Sequence, residues 1–395
     1  MKKKEKEKKK KKEITTIGFD LPIIWNLYQL ELKIPINNKK DIEPLQFDGH
    51  GLLGKMIIVS NQHSPYLIKI NDYGSINNKG QLKTHPQIRQ GKLCSFSEKV
   101  GSFCSITQNP YNPKQILLLD AEKGKINVWD FTLNEFQRPW TLPHECTLYT
   151  RILAFRDGHE RKTWLYLNDL KEGSIYRYRI TGEKLVHKEL VAGRGTQKPP
   201  RGIDDSVLAN EVKLSNPSAM AWDDQNQALF VSDLKEHVVY SIDMINRNIR
   251  VVLGTGARGN GTLNAPGPGF PIAFPNSLCL TYFNFEKENY QRRPLLFVTD
   301  TGNNRLVAVR TDMNKMDSKV IIGNYLDNKI NFLKSNNKLK KLIRTPLWIG
   351  SFEENIIGIV GLDEQLTLTL LIPQGHMIQP DINASRDSEQ WQILT

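Results

Sequence analysis

Six short, strongly apolar segments recur along this chain, the marker positions just after them stepping by 49 to 67 residues, and no other feature restricts its fold as tightly. They are 56–59, 116–119, 164–167, 229–231, 295–298 and 356–360, read as MIIV, ILLL, WLYL, LFV, LLFV and IIGIV. Each is strand-length, rich in β-branched or aromatic residues and flanked by turn formers, so each predicts a buried strand. A marker position follows each one: Asn61, Asp120, Asp169, Asp233, Asp300 and Leu362. A second strand is predicted a few residues beyond each marker, at 66–70, 125–129, 174–179, 238–242, 305–309 and 366–371. Such a unit cannot bury its apolar face alone and must stack on its neighbours, which is the logic of propeller blades.

Two further landmarks repeat in the second half. An apolar strand ends in Gly193, Gly254 and Gly323, and a proline opens the next strand at Pro217, Pro275 and Pro346. Glycine, marker aspartate and proline keep one order through three units. The stretch Val191-Ala192-Gly193-Arg194-Gly195 through Leu214-Ser215-Asn216-Pro217 to Val231-Ser232-Asp233 resembles one period of an NHL repeat. Val298-Thr299-Asp300-Thr301-Gly302-Asn303-Asn304-Arg305-Leu306 is similar to that family's strand–turn–strand signature. The resemblance is densest over 190–325, while 50–190 and 345–395 follow by spacing, with Asn61 and Leu362 replacing the usual aspartate. It implies an all-β, six-bladed β-propeller with four antiparallel strands per blade around a channel. Closure should pair a terminal strand with a blade from the other end, either Trp25 to Leu32 or Trp391 to Leu394.

A hydrophobic share of 39% with seven Trp suits a chain with a sizeable core rather than a disordered one. No run reaches the ~18 apolar residues that span a bilayer, so no transmembrane segment is expected. The lysine-rich start leads into no uninterrupted apolar stretch, which argues against a secretory signal and for a cytoplasmic chain. Cys94, Cys104, Cys146 and Cys279 show neither metal-ligand spacing nor the density of a disulfide scaffold. The net charge of +12 is uneven: residues 1–12 alone hold nine Lys and two Glu. Like charge without an apolar face predicts a disordered tail over 1–13, followed by a single propeller over 14–395.

The marker aspartates read in two ways. As a ring around the channel, Asp120, Asp169, Asp233 and Asp300 would hold a cation such as calcium. As turn devices they would accept backbone N–H bonds after each strand, and their blade-by-blade recurrence favours that second reading. Eight His stand singly, without zinc spacing. No Gly-x-Ser-x-Gly elbow supports a hydrolase triad.

The loops joining blades share one face of a propeller, and here they are long: 192–216, 254–275 and 324–345, with a summed charge of +7. Lys334, Lys338, Lys340, Lys341 and Arg344 lie on the third loop, and Arg194, Arg201 and Arg258 on the other two. Together they are the candidate anion- or partner-binding set, set against a merely solvated loop. The resemblance implies a monomeric, non-catalytic platform binding a protein or peptide. Its rivals are a calcium-dependent lactonase- or esterase-like propeller hydrolase, and binding of RNA or another polyanion on the basic face.

Overall fold

The computed structural model describes residues 105–323, apart from 113, 121–122, 131, 134, 143–148, 183, 202–205, 261–266, 285–291 and 312–317. Beyond that span it describes the strands at 25–31, 55–60, 63–72, 87–92, 346–351, 357–362 and 366–373.

The chain begins with β1 (Trp25–Glu31) and a meander of β2 (Lys55–Ser60), β3 (His63–Asp72) and β4 (Gln87–Lys92). Next comes a four-stranded sheet of β5 (Ser105–Gln108), β6 (Gln115–Asp120), β7 (Lys125–Asp130) and β8 (Glu135–Thr141), paired in chain order. The same plan returns in β9 (Tyr149–Arg156), β10 (Thr163–Asp169), β11 (Ser174–Thr181) and β12 (Lys184–Gly193). The following sheet runs β14 (Pro217–Asp223), β15 (Ala228–Asp233), β16 (Val238–Asp243), β17 (Asn248–Gly254), and adds β13 (Val207–Leu208) outside β17. Then come β18 (Pro275–Asn284), β19 (Arg292–Asp300), β20 (Arg305–Arg310) and β21 (Ser318–Gly323), and finally β22 (Pro346–Ser351), β23 (Ile357–Leu362) and β24 (Leu366–Pro373). Among the described residues the named strands pair antiparallel, a single parallel bridge joins Gln197 to Val212, and the helical content is three short 3-10 turns.

First strands of successive sheets lie beside one another, in the order β5, β9, β14, β18 and β22. Their polar side chains reach across to the neighbouring backbone. Ser105 Oγ accepts Ile152 N–H and Thr107 Oγ1 accepts Ala154 N–H, both at 3.0 Å, and Ser277 Oγ accepts Ile349 N–H at 3.3 Å. Asn168 of β10 donates to the Pro217 and Ser218 carbonyls of the next sheet. Each such bond is worth about 1 kcal/mol net, and together they join adjacent sheets. This arrangement is an all-β propeller. The first strand, β1, pairs antiparallel with the last, β24, from Trp25↔Pro373 to Glu31↔Thr367. Of the two sequence-predicted closing pieces, Trp25 to Leu32 is therefore the one in use; Trp391 to Leu394 lies outside the described residues.

The core lies between blades rather than within them. Leu117, Ile126 and Trp140 pack with Ile152, Leu165 and Tyr178 between the β5–β8 and β9–β12 sheets. Between the next two sheets, Tyr166, Val191, Leu229 and Tyr240 form a second cluster, and Phe230, Val252, Leu296 and Val307 a third. Glu189 of β12 ties these blades on the outside: it accepts from Arg177 Nε of its own sheet and Arg247 Nη2 of the next, both at 2.6 Å.

Two expectations need correction. The spacing predicts six blades, whereas the structure shows four, those of β5–β8, β9–β12, β13–β17 and β18–β21; beside them stand a three-stranded sheet of β2–β4 and the sheet of β22–β24 with β1. Four strands per blade is also too uniform. Residues 207–212 fold back along the sheet edge, where β13 pairs with β17 (Val207↔Ile249, Leu208↔Asn248).

The landmarks find physical explanations. Pro217, Pro275 and Pro346 each sit at a register break, between Pro217/Met220, Pro275/Leu278 and Pro346/Trp348. A residue lacking an N–H costs a ladder nothing at a bulge. Gly193 and Gly254 have φ of 88° and 103°, and an added Cβ would stand 2.2 Å from Gly173 O and 2.3 Å from His237 O.

Candidate interaction face

The loops between blades and the turns between second and third strands lie at one end of the sheets, because every strand reverses direction. The marker aspartates lead into those turns. Asp169 Oδ1 accepts Lys171 and Glu172 N–H, at 2.9 and 3.1 Å. Asp233 accepts Lys235 and Glu236 N–H in its own turn, and Ser215 and Asn216 N–H from the incoming loop. Asp120 accepts Lys123 N–H at 3.0 Å. These carboxylates are occupied by backbone donors, as a turn device requires.

Asp300 does more. It accepts Ala273 N–H at 2.7 Å, two contacts from Asn303 Nδ2, and Arg305 Nε at 2.5 Å, with both charged side chains wholly buried. Arg305 also donates to Asn260 Oδ1 at 2.7 Å and the Pro271 carbonyl at 2.9 Å, under the Phe270 ring. Burial pushes the Asp300 carboxyl above its ordinary range, opposed by Arg305, Asn303 and the Ala273 N–H. Such a pair persists because every polar atom around it is matched. It fastens the 254–275 loop to the blade that loop enters.

That fastening changes the meaning of the long loops. Ala209, Val212 and Leu214 of the first loop are buried in the second cluster, and Phe270, Ile272 and Ala273 of the next loop are also fully buried. Backbone bonds hold each loop upon itself: Gly195 N–H to Val212 O, and Gly259 N–H to Ile272 O, both at 3.2 Å. Their middles are wedges between blades, each fully buried Val or Leu contributing about 1.5–3 kcal/mol. Their beginnings remain on the surface and carry the three arginines.

Arg194 and Arg201 are not unpaired cations. Arg194 Nε lies 3.6 Å from Glu172, whose other contact is the Tyr176 hydroxyl donating at 2.5 Å. Arg201 Nη2 lies 3.7 Å from Glu236, which also accepts from Ser215 Oγ at 2.5 Å. Glu172 and Glu236 each stand three residues after a marker aspartate, a regularity the sequence held and a reading by loop charge passed over. Arg258 differs. The residue three beyond Asp300 is Asn303, and among the described residues no carboxylate pairs with Arg258. Its guanidinium lies 5.3 Å from the ring of Phe274.

Phe274 is the functional candidate that sequence reasoning missed. It is 41% exposed and has φ of 53°. A bulky residue rarely takes that left-handed conformation. Three elements hold it. Phe274 N–H donates to His237 Nδ1 at 3.2 Å, the two rings meet edge-on with centroids 4.7 Å apart, and Gly302 lies beneath, where an added Cβ would come 2.8 Å from Cδ2. His237 also has positive φ, 54°. Burial, and then the charge of Arg258, hold its imidazole below the usual range, against the opposing pull of Glu236, Asp233 and Asp300.

Lys334, Lys338, Lys340, Lys341 and Arg344 lie outside the described residues, as does the 1–13 tail. Among the described residues no group of three His, Cys, Asp or Glu could hold a metal ion, and no helix is long and apolar enough to cross a membrane. The opposite end of the sheets repeats the aspartate device: Asp130, Asp157, Asp223 and Asp243 each accept backbone N–H groups from their own turns. Asp223 and Asp243 are each followed three residues later by an asparagine that donates back at 2.8 Å, a spacing visible in the sequence.

A β-propeller with a loop face held by matched polar contacts is the class these features define. No family model and no curated protein matches the chain. Among solved structures it is similar to an auxiliary nutrient binding protein from Bacteroides thetaiotaomicron, with 10% identity, TM-score 0.54, 89% of this chain and 77% of that one covered. A protein of the same description from Bacteroides ovatus matches at 11% identity and TM-score 0.54, with the same coverage. A nidogen/laminin complex matches more loosely, at 13% identity and TM-score 0.44, over 80% of this chain and 85% of that one.

Proposed function

We propose that the six paired sheets form a six-bladed, NHL-type propeller serving as a non-catalytic platform that recognises a protein or peptide through its loop face. The observation that carries this reading is how that face divides its polar groups. Its recurrent carboxylates are taken up by backbone N–H groups or arginines. What it presents outward is a held aromatic and a cation. Aromatic and arginine side chains dominate the energetics of protein recognition, and a rigid scaffold carrying loops suits that use. The binding proteins among the structural neighbours are consistent with such a role, although likeness of fold does not carry function.

Photo-crosslinking residues placed in the loop face (Gln197, Lys235) and at the opposite end (Ile245, Asp224) test it. A partner captured from loop-face positions alone supports the reading, and capture from the opposite end alone contradicts it. The hydrolase rival predicts about one tightly held calcium per chain by elemental analysis of the purified protein.

A second reading, binding of RNA or another polyanion, is favoured by the six basic residues against one acidic in 324–345. A chain lacking residues 1–13 should then still bind single-stranded RNA at ~50 mM salt, with an affinity that falls steeply as salt rises.

A further inference from the structure

We infer that the rim between the β14–β17 and β18–β21 blades is an anchor for an acidic peptide. Phe274 receives an apolar side chain and Arg258 pairs with a neighbouring carboxylate of the same partner. The inference rests on the platform reading and names its partner by chemistry.

Three observations converge on it. The Phe274 ring is surface-exposed at a position where the backbone is strained, yet it is clamped by His237, Gly302 and Arg258 rather than left to swing. Strain kept at a surface residue by surrounding contacts is a mark of positions retained for use. A ring already fixed has little freedom left to lose on binding, which removes a cost that mobile side chains impose. The charge pattern then selects the partner. Along this face, arginine meets glutamate at Arg194–Glu172 and at Arg201–Glu236. In the turn after Asp300 the position that holds Glu172 and Glu236 in the two preceding blades is Asn303, whose amide is spent on Asp300 and the Gly259 carbonyl. Arg258 is therefore left without an acid among the described residues, beside the exposed ring. A carboxylate from a partner would restore the pairing that the other two arginines have within the chain.

The same pattern disfavours a nucleic acid here. A strand carries a phosphate at every nucleotide, and its path along this rim would bring phosphates to Glu172 and Glu236. A peptide needs only one carboxylate at one cation, with an apolar residue next to it.

The test uses the full chain and three fluorescein-labelled probes. These are a peptide of Glu-Leu-Gly repeats, its Gln-Leu-Gly counterpart and a dodecauridylate, each titrated by fluorescence anisotropy against the wild type, Arg258→Gln, Phe274→Asn and Arg201→Gln. Asparagine tolerates left-handed backbone, and Arg258 is exposed, so both site variants should melt as the wild type does. Any attraction of the acidic probe to the N-terminal lysines is common to all four proteins and cancels in the comparison. The expected result is at least a fivefold loss of Glu-peptide affinity in Arg258→Gln and in Phe274→Asn. Arg201→Gln should change it less than twofold, and the Gln-peptide should not distinguish Arg258→Gln from the wild type. Equal Glu-peptide affinity in all four overturns the proposal, as does dodecauridylate alone losing affinity in the two site variants. The first result leaves the platform reading standing if crosslinks still come only from the loop face; the second replaces the peptide with nucleic acid.

Discussion

Asp169 and Asp300 occupy the same place in two blades, yet their removal should differ severalfold in cost. Asp169→Ala deprives two backbone N–H groups, those of Lys171 and Glu172, in a turn whose flanking side chains are exposed. Water can replace the lost acceptor there, so about 1 kcal/mol is expected. Asp300→Ala deprives the buried Ala273 N–H, two Asn303 contacts and the Arg305 guanidinium, which has no solvent exposure. Removing one partner of a buried ion pair costs about 3–5 kcal/mol, because the other charge stays buried and uncompensated. Arg305 keeps Asn260 and the Pro271 carbonyl, which places the expected loss at the lower end, about 3 kcal/mol. Asp300→Asn retains an acceptor for Ala273 while removing the charge, and should fall between the two alanine variants. Urea unfolding followed by tryptophan fluorescence, compared at equal slope, gives the three values. If Asp300→Ala lost no more than Asp169→Ala, the Asp300–Arg305 pair would not be what fastens the 254–275 loop.

Four further outcomes follow from the structure. Gly193→Ala should destabilise by more than the ~1–3 kcal/mol of backbone strain, since the new Cβ meets the Gly173 carbonyl; Gly182→Ala, at φ 59° with nothing within 4 Å, should cost only the strain when both melts are compared. His237 has a lowered folded pKa, so its stabilising contribution is complete above the unfolded value of ~6.5 and is lost as pH falls through the folded one. The melting-temperature gap between wild type and His237→Asn should therefore narrow from pH 7.5 towards 5. Glu189→Ala leaves the buried Arg177 without its closest acid and should lower the urea midpoint more than Glu172→Ala, whose arginine is exposed. In the tail-less chain, neutralising Lys338, Lys340 and Lys341 together should flatten the salt dependence of RNA affinity by about two units if the polyanion reading holds.

The strands were the legible part. All six apolar segments and all six partner strands are described as β-strands, because buried strands must be short, apolar and bounded by turns. Asp120, Asp169 and Asp233 were legible as turn devices because a hydrogen-bonding habit repeats whenever its turn repeats, whereas Asp300 was read the same way and instead anchors Arg305 and the incoming loop. The loop wedges were not: Ala209, Val212 and Leu214 are spaced irregularly, with Glu211 and Lys213 among them, so no period announces that they are buried. Arg305 looked like any strand-edge cation, since its burial depends on Asn260 and Pro271, 45 and 34 residues away. Counting loop charges placed Arg194 and Arg201 with the lysines, although each pairs with the glutamate of a neighbouring turn. Phe274 gave no signal because its exposure and its left-handed backbone exist only once His237 and Gly302 are brought around it.

Thermal unfolding of two truncated chains tests most directly the central claim that the loop face is held rigid by a ring closed with its own first strand. One chain lacks residues 1–13 and the other residues 1–31, which removes β1 and with it the partner of β24. An unpaired β24 would present an open sheet edge. The account predicts that the shorter deletion melts as the full chain does, whereas the longer one melts at least several degrees lower and exchanges the β24 amides rapidly. Identical melting of both, with the β24 amides still protected, would contradict closure by β1 and the rigid platform built on it.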